Sequence, residues 1–257
     1  MQILYNWEKQ KRAFSNYEQE FTLEMNICTD WNCRLLPGFS DQIGNAEAAA
    51  KALQTIHERS EISNFFFLPE FDPASDSASA FQIRLDRALQ TLKHLLSFSA
   101  KLQASASVKL IQNLLGYKNL SCFYLPKTDY LPISLPITPE DWVETEIAKL
   151  ARHAPFRILL LNMHLIPIFY PKDSVKRILS LPNIACQFSF RSLTDQKTVD
   201  LLLKPLLRQN VPILLGSGVN SLEKAYQFDF SFYRNQAEKQ FSLYESDLMF
   251  YGKRIFR

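Results

Sequence analysis

Short apolar runs alternate with segments of helical periodicity from residue 26 onward, and this alternation is the main structural signal in the chain. Runs of aromatic, leucine or β-branched side chains, bounded by polar residues or proline, are typical of buried strands. They predict strands over residues 26–33, 65–68, 108–111, 121–125, 156–161, 184–188 and 211–215. A further segment, 130–136, is predicted to be extended but broken by its prolines.

Helical patterns occupy most of the intervals between these strands. They predict helices over residues 45–57, 80–102, 138–153, 173–181, 194–208 and 221–226. Asn45 and Thr138 are placed to cap their helices, and Pro139 suits a first helical turn. Strands separated by helices pair in parallel through crossovers, so the pattern predicts an α/β fold with enough strands for a barrel.

No linker or internal repeat divides the chain, and the pattern therefore predicts a single barrel domain over residues 26–230. Residues 1–25 are polar and poorly periodic, and they are predicted to form an N-terminal leader. Residues 231–257 are rich in aromatic side chains and end in basic ones. This C-terminal tail is predicted to pack on the barrel, with a partner surface as the alternative.

Composition and charge remove several classes of protein. The 257 residues are 47% hydrophobic and 13% aromatic, which excludes a disordered chain. Only 6 glycines are present and the common phosphate-binding loops are missing, while a net charge of +3 gives little support to nucleic-acid binding. No membrane span or secretory signal is evident, so a cytoplasmic protein is predicted. Reduced, buried thiols are predicted for the cysteines, which form no CxxC pair: Cys28, Cys33, Cys122 and Cys186.

Polar side chains directly after the apolar runs are the candidates for function. In parallel α/β folds, ligands bind at the carboxyl ends of the strands, so these side chains are expected to meet in one pocket. The candidate ligand-binding residues are Asp30, Asn32, Arg34, Glu70, His164, Ser217 and Asn220.

The segment that follows the first strand, 30–41, contains the frame Leu36-Pro37-Gly38 and ends in Asp41. It resembles the first motif of the bacterial PHP (polymerase and histidinol phosphatase) domain family, Asp-x-His-x-His followed by Leu-Pro-Gly-x-Asp-Asp. The order of later segments, up to residue 230, is similar to the manganese-dependent protein-tyrosine phosphatases of capsule and exopolysaccharide operons. The resemblance implies a distorted (β/α)7 TIM-like barrel.

The sequence departs from this family at the metal ligands. The first-motif histidines are replaced by Asn32 and Arg34, and a Thr-Pro-His motif by Leu68-Pro69-Glu70. Ser134 stands where the family has Glu, and the final Ser-Asp-x-His reads Ser217-Gly218-Val219-Asn220. Divalent metals need His and carboxylate ligands, and the chain has only 4 histidines. The resemblance therefore implies a pseudoenzyme with no catalytic residue, metal or other cofactor.

Two alternatives concern the charged residues of the mouth. Asp30 and Glu70 could hold one ion with His164 as the third ligand, or they could bond internally: Asp30 to the backbone or Arg34, and Glu70 to Arg34. Arg34 could instead bind a phosphate. Counting Asp30, Glu70 and Arg34 gives a negative mouth, which predicts weak or no phosphotyrosine binding and favours a neutral polar ligand such as a sugar or a peptide loop.

The resulting prediction is a regulatory or scaffolding pseudophosphatase in capsule or exopolysaccharide synthesis. Its expected partner is a tyrosine-kinase-like protein or a component of polysaccharide assembly. One alternative is a residual metal-dependent phosphatase with a rebuilt site. The other is a metal-free PHP-like RNA-associated subunit, which the small net charge disfavours.

Overall fold

The structure is a computed structural model that describes residues 29–60 and 62–241. The predicted leader, Cys28 and the end of the predicted tail lie outside these residues.

The described residues form nine strands, all parallel to their neighbours, in two sheets with the orders β1-β2-β4 and β3-β5-β6-β7-β8-β9. Only two residues separate β2 from β3 and β4 from β5, so each pair acts as one bent strand. The Ser105 amide donates to the Phe67 carbonyl across the bend. The strands are β1 Thr29–Asp30, β2 Asn64–Phe67, β3 Glu70–Phe71, β4 Lys101–Ala104, β5 Ser107–Lys109, β6 Tyr130–Ser134, β7 Arg157–Leu160, β8 Ile184–Ser189 and β9 Ile213–Gly216.

The chain closes into a barrel where β1 meets β9. The Trp31 amide donates to the Leu215 carbonyl at 3.2 Å, and the Gly218 amide donates to the Asn32 carbonyl at 3.0 Å. With β2–β3 and β4–β5 each counted as one bent strand, the barrel has seven strands. The prediction of a distorted (β/α)7 barrel in a single domain is therefore confirmed.

Helices cover the outside of the barrel between successive strands. Asn45 caps the first of them, because its Oδ1 accepts from the Ala48 amide at 2.8 Å. The described residues contain no helix long and apolar enough to cross a membrane. The helices are α1 Ala46–Ser60, α2 Ala78–Leu95, α3 Asp141–His153, α4 Ile166–Phe169, α5 Lys172–Leu179, α6 (Gln196–Thr198, the π-helical Val199–Leu203 and Lys204–Arg208), α7 Leu222–Gln227 and α8 Phe230–Phe241.

Two hydrophobic clusters hold this arrangement together. The larger lies between strands and helices and includes Leu53 and Ile56 of α1. The smaller one takes the alternate strand residues, including Phe66, Leu159 and Leu214, and fills the barrel. At the C-terminal side, α8 places aromatic rings against the turn Phe190–Leu193, with the Phe230 and Phe190 ring centroids 5.5 Å apart.

The predicted helix over 80–102 is wrong at its end. The structure ends α2 at Leu95, and the residues from Lys101 onward form β4. Leu92 and Leu102 are both buried. Over so short a stretch, the spacing of the apolar residues fits a helix and an extended strand equally well. The serines at 97 and 99 mark the break between the two elements.

Three other local predictions are corrected. Residues 121–125 are not a strand: Leu120–Phe123 is a 3-10 turn that follows Asn119 in the left-handed region, and it leaves Cys122 exposed. Thr138 does not cap α3, which begins at Asp141. The proline-containing segment 130–136 includes the interior strand β6, in which Pro132 lies opposite Leu159.

Candidate functional site at the carboxyl ends of the strands

Asp30 lies at the end of β1 and is fully buried. Its Oδ1 accepts from the Ser217 amide at 2.7 Å and from the Asn32 amide at 3.2 Å, and the Ser217 hydroxyl donates to Oδ2. Burial raises the pKa of this carboxyl above its ordinary value of 3.8, although these hydrogen bonds oppose the rise. Both oxygens of Asp30 therefore bond within the protein and join the first strand to the segment after the last.

Three amide side chains are bonded to one another beside Asp30. The Asn32 side-chain nitrogen donates to Gln187 Oε1 and to Asn162 Oδ1, both at 3.2 Å. Gln187 Oε1 also accepts from the Asn162 backbone amide at 3.0 Å. This amide network links the ends of β1 and β7 to the interior of β8. Gln187 and Asn162 were not among the predicted site residues. The sequence signal for Gln187 was its polar side chain within an apolar strand. The signal for Asn162 was its position directly after another apolar strand.

His164 and Asn220 bond away from the strand-end pocket. His164 Nδ1 accepts from the Ser189 amide at 3.3 Å, and burial lowers the pKa of this imidazole below 6.5. Asn220 Oδ1 accepts from Lys224 Nζ at 2.8 Å. Neither residue lines the pocket that Asn32, Arg34 and Glu70 share.

That pocket is a cavity of about 120 Å³ at the ends of β1, β2, β6 and β7. Asn32 and Asn162 form part of its polar wall, and the Arg34 and Glu70 side chains are exposed. The other lining residues are Cys33, Leu36, Phe39, Ser40, Phe67, Leu68, Pro69, Ser107, Ser134 and Leu161.

The charged side chains of the mouth are not paired with each other. Glu70 Oε2 accepts from the Ser134 hydroxyl at 3.1 Å, and no ion pair joins Glu70 to Arg34. Within residues 29–60 and 62–241 the Arg34 guanidinium has no hydrogen-bond or ion-pair partner. The alternative in which Arg34 bonds Asp30 or Glu70 is therefore wrong. Backbone bonds to Asp30, the other part of that alternative, are present.

The thiol and hydroxyl groups nearby are poorly suited to nucleophilic catalysis. Burial, and then the neighbouring Asp30, raises the pKa of the Cys33 thiol well above 9.0, which keeps it protonated. The Ser217 hydroxyl donates to Asp30 and accepts from the Val219 amide at 3.1 Å. It is therefore already committed to hydrogen bonds within the protein.

The donor set does not fit the metal centre that the PHP resemblance implies for this fold. Among the described residues, no three His, Cys, Asp or Glu side chains lie together as a metal would require. The strand ends instead present amides and hydroxyls, which are weak ligands for transition metals. The one carboxylate at the centre, Asp30, has its oxygens occupied by hydrogen bonds.

Comparison with known proteins finds a similar fold but no matching sequence family. The sequence matches no protein-family profile and no curated protein. The fold is similar to solved structures described as YwqE from Bacillus subtilis and CpsB from Streptococcus pneumoniae, unique metal-dependent tyrosine phosphatases. The match has a TM-score of 0.68 and 15% sequence identity, and it covers 90% of this chain and 94% of the other. Residues 29–60 and 62–241 therefore have the barrel fold of these metal-dependent tyrosine phosphatases.

Proposed function

We propose that this protein is a catalytically inactive, PHP-like pseudophosphatase with a regulatory or scaffolding role in capsule or exopolysaccharide synthesis. The proposal rests on one observation: the strand ends carry an internally bonded network of Asn32, Asn162 and Gln187, with Asp30 engaged by Ser217. Metal-dependent phosphate hydrolysis needs ligands that hold the ion and leave a coordination position for water. Amides bonded to one another supply neither.

Elemental analysis and a phosphatase assay test the inactive half of the proposal. Protein purified without chelator should contain no stoichiometric manganese or zinc, and it should not hydrolyse phosphotyrosine peptides when Mn²⁺ is added. An active metal-dependent tyrosine phosphatase of this fold, assayed in parallel, controls for the substrate. Stoichiometric metal, or turnover that Glu70→Ala abolishes, would support the residual phosphatase instead.

Exposed apolar side chains in the segments that follow β6 and β7 support the scaffolding half. Ile137 and Ile168 are 66% and 69% exposed, and Leu165 and Phe169 are exposed beside Ile168. The Tyr170 hydroxyl donates to the Pro136 carbonyl at 2.7 Å, which brings the segment around Ile137 next to α4. We call these four residues the apolar rim. Because the structural neighbours are tyrosine phosphatases, which act on proteins, we assign the rim to a protein partner.

Binding to candidate partners tests this assignment. We expect a stable complex with a tyrosine-kinase-like protein, or with a polysaccharide-assembly protein, encoded beside the gene for this chain. Ile168→Asp should abolish the complex, while Ile83→Asp, at a similarly exposed site on α2, should not. Failure to bind any such product would contradict the role. Binding to RNA with a steep salt dependence would favour the RNA-associated alternative.

A further inference from the structure

The pocket has unused hydrogen-bonding groups of both kinds. Asn32 Oδ1 accepts no hydrogen bond from the described residues, and it is not sealed from solvent. Asn162 Oδ1 accepts from the Asn32 side-chain nitrogen. Asn162 Nδ2 donates no hydrogen bond within the described part of the chain, and it too is open to solvent. One wall therefore offers a free acceptor and a free donor side by side. Ser40 and Ser107 add hydroxyls, each able to donate and accept.

Two side chains of opposite charge line the mouth, Arg34 and Glu70. Asp30, a third charge predicted from the sequence for this mouth, is not among the lining residues, and its buried oxygens are bonded to Ser217 and the Asn32 amide. A phosphate dianion would gain the Arg34 contact but would meet the Glu70 carboxylate in the same small space. A ligand whose groups both donate and accept meets no such conflict, because it can donate to Glu70 and accept from Arg34.

The size and the remaining lining limit the ligand further. A volume of about 120 Å³ is smaller than the cavity of about 150 Å³ that encloses benzene, so the pocket takes one edge of a hydroxylated ring and leaves the rest of the ring at the open mouth beside Arg34 and Glu70. The rest of the lining includes Leu36, Phe39 and Pro69, which offer apolar surface to carbon-bound hydrogens. Polar and apolar residues line the pocket in equal number, a mixture that suits a ring with both hydroxyls and carbon-bound hydrogens.

We propose that the pocket binds a single sugar ring, whose adjacent hydroxyls bond Asn32, Asn162, Glu70 and Arg34. Each sugar hydroxyl donates and accepts, which matches the mixed set of groups on the wall. The inference rests on the proposed function in one respect, since it requires a pocket without a metal centre. The shared chemistry is a hydroxylated ring, either neutral or bearing one carboxylate for Arg34.

Titration of the full chain with single sugars tests the site. The probes are glucose, galactose, N-acetylglucosamine and glucuronic acid, with phosphotyrosine for comparison. Binding is measured by calorimetry and by the NMR signals of the backbone amides around the pocket. We expect at least one sugar to bind and to shift those signals, and phosphotyrosine to bind more weakly. Tighter binding of glucuronic acid than of the neutral sugars would show that the ligand is a sugar with a carboxylate. Tighter binding of a neutral sugar would show that the ligand is uncharged.

Paired variants separate the pocket from general effects of charge. Glu70→Gln and Arg34→Met should each weaken sugar binding about tenfold, the value of one hydrogen bond to a charged group. Arg87→Met removes an exposed arginine on α2 and should leave the affinity unchanged. Absence of binding by all four sugars, or tighter binding of phosphotyrosine, would overturn the inference. Metal content and turnover test the proposed function separately, so a failure of the sugar site can be distinguished from a failure of the proposed function.

Discussion

At the scale of single residues, Asp30 has a structural role that its position alone does not reveal. A carboxylate at the end of the first strand is normally a candidate ligand, yet here it accepts hydrogen bonds from two backbone amides and one hydroxyl. Those bonds compensate part of the cost of burying the charge, but burial still raises the pKa. Asp30 is therefore a buried connection between distant parts of the chain.

Replacing Asp30 should separate its bonds from its charge. Asp30→Ala leaves the Ser217 and Asn32 amides without their acceptor and should lower the free energy of unfolding by about 3 kcal/mol. Asp30→Asn keeps an acceptor oxygen and should fold. Because the folded pKa is raised, the ionisation of Asp30 costs stability as the pH rises above 3.8, and Asn cannot ionise.

Urea unfolding at a series of pH values measures this effect. Relative to the unmodified protein, Asp30→Asn should gain stability as the pH rises through the folded pKa of Asp30. A stability difference that does not change with pH would show that the carboxyl does not titrate differently in the folded and unfolded states.

His164 should make the protein sensitive to mild acid. Its Nδ1 accepts from the Ser189 amide, which requires a neutral ring, and burial lowers its pKa below 6.5. Because the pKa of His164 is lowered in the folded protein, the stability that its neutral imidazole contributes is present above pH 6.5. This stability is lost as the pH falls through the folded pKa. His164→Asn retains an acceptor and should remove this loss of stability on acidification. His94→Asn, at an exposed site on α2, should leave it unchanged.

At the scale of elements, the junction of β1 and β9 is tightly packed. A Cβ atom on Gly216 would lie 2.5 Å from the Asn32 backbone nitrogen and 2.7 Å from its Cβ atom. Real Cβ atoms do not approach so closely, so the two segments must separate if any side chain is introduced. Asn32 is itself fixed by the amide network, which leaves it little room to adjust.

Gly216→Ala should therefore destabilise the protein by about 2 kcal/mol, the typical cost of forcing extra atoms into a packed site. Thermal unfolding measures the loss. Gly44→Ala is the matched control, because a Cβ atom there meets nothing within 4 Å and its backbone is not in the left-handed region. Equal stability of the two variants would mean that β1 and β9 can move apart freely.

At the scale of the whole molecule, the barrel is closed by direct bonds between strands and by the packed interior. Backbone amides and Asp30 join its first and last strands, and the cluster around Phe66 fills its centre. None of these contacts involves a metal ligand set. We therefore expect the stability of the fold to be independent of divalent metals.

A thermal unfolding series with added Mn²⁺ or with EDTA checks this expectation. A ligand that binds only the folded state at 100 times its Kd adds about 2.7 kcal/mol of stability, which shifts the Tm by several degrees. We expect no shift in either direction. A Tm that rises with Mn²⁺ and falls with EDTA would indicate that the folded chain holds a metal.

The sequence alone predicts the alternation of strands and helices and the kinds of side chain at the strand ends. Burial periodicity is local, so it identifies elements such as α1 and β8 within a few residues. Residue identity is also enough to judge ligand chemistry, which is why Asn32 and Arg34 argued against a metal centre. The same local signal could not separate the end of α2 from β4, because the buried leucines there fit either structure.

Which of the candidate residues meet depends on the tertiary structure. The Asp30–Ser217 bond spans 187 residues and the Asn32–Gln187 bond spans 155, and both depend on closure of the barrel. In the described part of the chain, closure also left Arg34 and Glu70 without an ion pair to each other and directed His164 to the Ser189 amide. Such choices depend on distances between strand ends. Those distances are set by the packing of the whole chain, and no local pattern contains them.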